Sequence, residues 1–250
     1  MNKLADKLKY LDSISLDELK EYKLMNRLDT KYICHQDMLH IILERSFKDF
    51  RIQEINKVRN SSYETLYFDT ANLKTYFDHH QGKRLRYKVR FRKYLHTRDV
   101  FLEVKKKKNF IRTNKSRTKL PFSSSLVQPH YDFLSDHITL PPSSFKPAIW
   151  TVFDRITLAG KHHLERITID TNVRFLNEEK QVALPGLTII EVKQEKAGLI
   201  SPFTKMLREI GVKPSGCSKY ILGNVLLNPS LKHNRFKRRL VTINKICYGT

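Results

Sequence analysis

From residue 84 to residue 92 the chain alternates without a break. Extended, it puts Arg84, Arg86, Lys88, Arg90 and Arg92 on one side and Leu85, Tyr87, Val89 and Phe91 on the other. The same two-residue period predicts strands at 27–35, 63–69, 99–107, 149–158, 163–170 and 187–194. In several of them the polar side is charged: Arg27, Asp29 and Lys31 share a face, as do Glu103, Lys105 and Lys107, Arg166, Thr168 and Asp170, and Glu191 and Lys193. Short links between neighbouring strands predict mostly antiparallel pairing.

Helical spacing replaces this alternation in a few places. Leu16, Leu19 and Leu24 predict a helix over 15–26, started by a capping box of Ser15 and Glu18. A helix over 36–46 follows the first strand. Ser201 and Pro202 suit the cap and first position of a helix to about Ile210, and another begins near Ser218. The Pro- and Ser-rich stretch 121–148 reads as an insertion-like connection with a short helix around 131–137. The adjacent pairs His79–His80 and His162–His163, placed on strands, point to opposite faces, which argues against a two-His metal site in either. Residues 231–250 are basic with weak periodicity and read as a solvated or disordered tail.

Charge gives the alternation its meaning. The 250 residues carry a net charge of +22, and the 37 residues from Lys83 to Lys119 hold 16 Lys/Arg against Asp99 and Glu103. A local anion site explains this concentration better than general solubility. Two like charges about 4 Å apart repel by roughly 4 kcal/mol at an effective dielectric of about 20, so a cationic row needs water or an anion beside it. Cys34, Cys217 and Cys247 lie far apart with no CxxC spacing, which points away from disulfides and structural zinc and towards a reducing, cytoplasmic setting. No apolar run approaches the length of a membrane span.

If the strands close into an antiparallel barrel with the charged side inward, flanked by helices, the result is an α+β fold around a cationic tunnel. Such a tunnel suits a polyphosphate, since Arg binds phosphate bidentately and Lys binds it as a point charge. The few inward acids then become candidate ligands for Mg²⁺ or Mn²⁺. Specific nucleic acid is not expected, because Tyr87 and Phe91 lie opposite the arginines and cannot interleave with them for base stacking.

The ordered motifs RLDTKY, YETLYFDT, YFDHHQGKRLRYKVRFRKY, FLEVKKK, NKSR, FDRITL, ERITIDT, IIEVK and SKYILG, spread over about residues 15–227, resemble the VTC (vacuolar transporter chaperone) catalytic domain. Within that group the chain resembles bacterial polyphosphate polymerase domain proteins of the triphosphate tunnel metalloenzyme superfamily. The resemblance implies one tunnel domain over 1–230, followed by the tail at 231–250. It implies a metal-dependent transfer of the ATP γ-phosphate to a growing polyphosphate chain. Lys31, Arg90, Arg92, Arg155, Arg166 and Lys193 would form the catalytic lining. Arg86, Lys88, Lys105, Lys115, Ser218 and Lys219 would bind phosphate, and Glu191 would hold the metal. ATP, polyphosphate and a membrane-protein partner are the implied partners, with a cytoplasmic location peripheral to the inner face of a membrane.

The chain also departs from its relatives. The hydrolytic branch of the superfamily opens with Glu-x-Glu-x-Lys, whereas this chain has Arg27-x-Asp29-x-Lys31. Phe153 and Gly216 stand where the yeast-type domain has Tyr and Lys. A triphosphatase of the same superfamily and a non-catalytic polyanion-binding module remain the alternatives.

Overall fold

Eleven strands join in one sheet in the computed structural model, which describes residues 3–22, 27–108, 113–195 and 201–249. The strands are β1 (Asp12–Ile14), β2 (Arg27–His35), β3 (Phe50–Gln53), β4 (Ser61–Thr70), β5 (Arg86–Tyr94), β6 (Asp99–Lys107), β7 (Thr113–Lys119), β8 (Phe145–Gly160), β9 (Glu165–Leu176), β10 (Gln181–Ala183) and β11 (Leu187–Glu195). The helices are α1 (Lys3–Leu8), α2 (Leu16–Glu21), α3 (Leu39–Ser46), α4 (Lys74–Gln81), α5 (Gln128–Ser135), α6 (Pro202–Glu209), α7 (Lys219–Leu227) and α8 (Lys237–Tyr248). The main path runs β2-β11-β9-β8-β4-β5-β6-β7 with antiparallel neighbours, and only the short β1–β3 pair is parallel. Among the described residues no helix is long and apolar enough to cross a membrane.

The expected closed barrel is not formed, because β2 and β7 do not pair with each other. A non-repetitive segment lies along the free edge of β2 instead: Ser215 donates its N–H to the Lys31 carbonyl at 2.7 Å, and Tyr32 bridges to Pro214. Proline has no N–H, so this contact cannot propagate into a ladder. The sheet still curls strongly. Lys105 on β6 lies within the field of Glu191 on β11 and Asp29 on β2, so the two ends face each other across an open-sided channel.

Apolar faces explain the curl. Outside β2, β11, β9 and β8, the side chains of Tyr32, Ile156, Ile167, Ile169 and Val192 pack against α3 and α6. Outside β4, β5 and β6, Leu66, Val89, Phe91 and Leu102 pack against α5 and its flanks. Each such fully buried side chain contributes about 1.5–3 kcal/mol, so the parity of every strand is fixed and the charged set turns inward.

One end of the channel is plugged by α7, which crosses the concave face. A Cβ on Gly223 would fall 2.6 Å from Ile149 and Phe175, so only glycine allows this approach. Buried Asp69 accepts the Thr75 and Tyr76 N–H groups at 2.8 and 2.9 Å and so caps α4, where the sequence reading has His79 and His80 on a strand. Gly82, with φ of 72°, ends that helix.

Two further expectations change. The tail folds: α8 buries Ile243 completely, with Phe236, Leu240 and Ile246 packed in the same cluster as α7. The strand over 84–94 starts at Arg86, leaving Arg84 before the ladder and Leu85 exposed. The 15–26 helix spans Leu16–Glu21 with its capping box intact, and Leu24 lies outside the described residues.

Candidate functional site

Three of the inward carboxylates organise the channel, and each of these is held by two cations. Lys31 and Lys193 donate to opposite oxygens of Glu191. Register explains this: Glu191 lies across from Lys31 in the β11–β2 ladder, and Lys193 is two residues along the same face. Buried Asp170 accepts Arg155 Nε at 2.5 Å and Nη2 at 2.8 Å, and also Lys219 from the first turn of α7. Buried Glu103 accepts Arg90 Nε at 2.8 Å and pairs with Lys115 Nζ at 2.5 Å, again across adjacent strands.

These contacts set the protonation states. Burial alone would raise all three carboxyl groups, but the cations outweigh it. Lys193 and Lys31 hold Glu191 well below the usual range, Arg155 and Lys219 do the same for Asp170, and Arg90, Arg92 and Lys115 for Glu103. Burial also acts on the lysines and brings both Lys115 and Lys193 down to about 8. Tyr67 is buried, which would raise its phenol, yet Arg90 and Arg92 bring it below its ordinary value, and its oxygen accepts Arg90 Nη1 at 3.0 Å.

Among the described residues Lys88, Arg92, Lys105 and Arg166 are inward cations that make no ion pair. Lys88 donates to Ser218 Oγ, the N-cap of α7, at 2.9 Å. Burial pushes its ammonium well below the usual value, and Lys105, Arg90 and Lys31 add repulsion. Arg92 is 8% exposed and has only Thr65 Oγ1 at 3.4 Å and the face of Tyr63, 5.9 Å from its ring centre. Arg166 and Lys105 are lowered first by loss of water; Arg27 and Arg155 then add repulsion at Arg166, whereas Glu191 partly offsets the loss at Lys105. A surplus of positive charge therefore faces the channel, and an anion would relieve it.

Twelve of the thirteen sequence-predicted site residues converge on this channel. Arg86 stands apart at its edge, donating Nη1 to the Lys83 carbonyl at 2.8 Å. Asp170 and Tyr67 take structural parts that the sequence reading did not assign, although the parity of Asp170 with Arg166 already puts it on the inner face. Aromatic rings also reach that face, from β4, β8 and the end of β5, where Tyr94 lies 5.0 Å from Tyr63 between ring centres. Tyr63 stacks on Phe153 at 5.3 Å between centres, and Arg155 already covers both rings.

The fit of a divalent metal rests on Glu191. Among the described residues no three His, Cys, Asp or Glu side chains gather into a cage. One carboxylate with each oxygen on an ammonium group could join a hard cation that takes its remaining ligands from phosphate and water, and does not make an all-protein site. The expected membrane partner finds no support among the described residues.

Comparison with known proteins gives a family and several distant likenesses. The VTC domain family matches residues 26–228. No curated protein matches. A solved Hippeastrum protein, described as an adenylyl cyclase candidate that reveals a dominant triphosphatase activity, is 14% identical with a TM-score of 0.49, covering 83% of this chain and 98% of that one. A Bacillus halodurans protein described as an adenylate cyclase candidate is 11% identical with a TM-score of 0.48, covering 85% and 96%. A Pyrococcus horikoshii OT3 protein is 15% identical with a TM-score of 0.45, covering 80% and 99%.

Proposed function

The chain belongs to the VTC domain family, and on that premise we propose that it is a polyphosphate polymerase that passes the ATP γ-phosphate to a polyphosphate chain held in the channel. The observation that carries this reading is the set of inward cations without carboxylate partners, Lys88, Arg92, Lys105 and Arg166, beside three carboxylates that are already neutralised. A linear polyanion matches such a row along its whole length.

The state of the carboxylates favours transfer over hydrolysis. Glu103, Asp170 and Glu191 are all held below the usual range, which makes them poor bases for activating water. The terminal phosphate of a polyphosphate is already ionised near neutral pH and needs no base. Its oxygen would bond to the γ-phosphorus as the bond to the β,γ-bridging oxygen breaks, and ADP would leave. Arg90, Arg92, Arg155 and Arg166 would hold the reacting groups in line, with Lys31, Lys193 and Lys219 stabilising the charge that develops on the transferred oxygens. Lys88, Lys105, Lys115 and Ser218 would hold neighbouring phosphates. A divalent cation held by Glu191 and phosphate oxygens would neutralise charge on the nucleotide when bound.

The test is to incubate the purified protein with ATP and Mn²⁺ or Mg²⁺, with and without a short polyphosphate primer, and to follow ADP, free phosphate and polymer together. ADP matched by polymer supports the polymerase. ADP matched by free phosphate would overturn it in favour of a triphosphatase, and no turnover would leave a polyanion binder.

A further inference from the structure

The C-terminal helix α8 carries an arginine that the channel described so far does not use. Arg239 is half-buried and makes no hydrogen bond or ion pair among the described residues. Its guanidinium lies against Gly216, with Nη2 3.2 Å from the point where a Cβ on that residue would sit. The absence of a side chain at 216 therefore leaves the space this cation occupies.

The surroundings of Arg239 border on groups that reach the channel. It lines a narrow, mostly apolar crevice between α7 and α8, where Cys217 and Ser218 stand beside it. The buried Cys217 thiol lies within the fields of Lys219, Lys31 and Arg239 together, so this arginine is close to two channel lysines. Ser218 is the residue to which Lys88 donates. One turn before Arg239, Arg235 donates to the His80 carbonyl at 3.1 Å, and its charge reaches Arg86. A line of cations thus leaves the channel past Ser218, and no ion pair of Arg239 neutralises its outer end. Helix α8 lies beyond residues 26–228, the span that matches the family, so this feature belongs to the chain's own C-terminal segment.

We propose that Arg239 is a phosphate-binding residue at the channel mouth, where it holds the part of a polyphosphate chain that extends past the N-terminus of α7. The proposal rests on the channel binding polyphosphate, as in the reading above. A chain too short to reach the mouth would not meet Arg239, so the residue distinguishes long chains from short ones.

Binding of long-chain polyphosphate and of tripolyphosphate is measured by calorimetry on the full chain, for the wild type, Arg239→Met, Arg239→Lys and Arg238→Met. Methionine keeps an unbranched stem against α7 and removes only the charge, and Arg238 is the exposed neighbour on the same helix. The expected result is a loss of about five- to tenfold in affinity for the long chain in Arg239→Met. Tripolyphosphate binding stays within about twofold, Arg239→Lys recovers part of the loss, and Arg238→Met behaves as wild type. Equal long-chain affinity in wild type and Arg239→Met would overturn the proposal. So would an equal loss for both ligands accompanied by a lower melting temperature, which would mean that Arg239 only packs the α7–α8 crevice. A wild type that binds neither ligand would overturn the polyphosphate reading itself, and the proposal with it.

Discussion

The two walls of the channel use the same residue types in different ways. On the wall formed by β8, β9, β11 and β2, Asp170 and Glu191 each hold two cations, and Arg166 is the exception without a carboxylate. On the wall formed by β4, β5 and β6, Glu103 alone holds Arg90 and Lys115, while Lys88, Arg92 and Lys105 go without. The first wall is ordered by its own ion pairs before any ligand arrives. The second is left with charge that water or a bound anion must offset. Stability and binding should therefore separate between the two walls when single residues are changed.

The largest effect is expected on the paired wall. Asp170→Ala leaves Arg155 and Lys219 with no counter-ion in a buried site, which costs about 3–5 kcal/mol. Urea unfolding would measure it, and a loss below about 1 kcal/mol would erase the distinction between the walls. On the unpaired wall Arg92→Met breaks no ion pair and should move stability by no more than about 1 kcal/mol. Its tripolyphosphate affinity should fall roughly tenfold or more, as loss of a charge-assisted contact implies. Unchanged affinity would remove Arg92 from the site.

A pH titration sharpens the comparison further. The folded-state values of Lys115 and Lys193, about 8, lie below the ordinary 10.5, so folding penalises their charged forms. Their contribution to stability therefore improves as pH rises from about 8 to 10.5, whereas anion affinity falls over the same interval because the charge is lost. Lys193→Arg should move the fall in affinity to higher pH; an unshifted profile would show that Lys193 does not touch the ligand. The smallest effect is expected outside the channel mouth, at the exposed Lys119–Asp99 pair on β7 and β6. Lys119→Ala should change stability by less than about 0.5 kcal/mol and leave binding alone.

Strand parity made most of this legible in the sequence. The alternation from Arg86 to Arg92 puts the arginines opposite Tyr87, Val89 and Phe91, and burial of those three decides which side turns inward. Lys31, Glu191 and Lys193 follow from the same rule. Closure was not legible, because it depends on which backbone meets the β2 edge, and the segment around Pro214 that does so carries no strand pattern. The partnership of Arg155 and Lys219 on Asp170 joins residues far apart in the chain, and alternation within one strand cannot show it. Helix α8 was hidden by its composition: its basic residues suggest a solvated tail, while the four apolar residues that anchor it fit a cluster assembled from distant elements.

A crystal structure with bound tripolyphosphate tests the central claim most directly. The account predicts a ligand within the curl of the sheet, with phosphate oxygens in hydrogen-bond reach of Arg92 and Arg166, the two inward arginines without carboxylates, and with the Arg155–Asp170 pair still in place. Phosphates bound only outside the concave face, or an ion-paired wall taken apart to reach them, would contradict it.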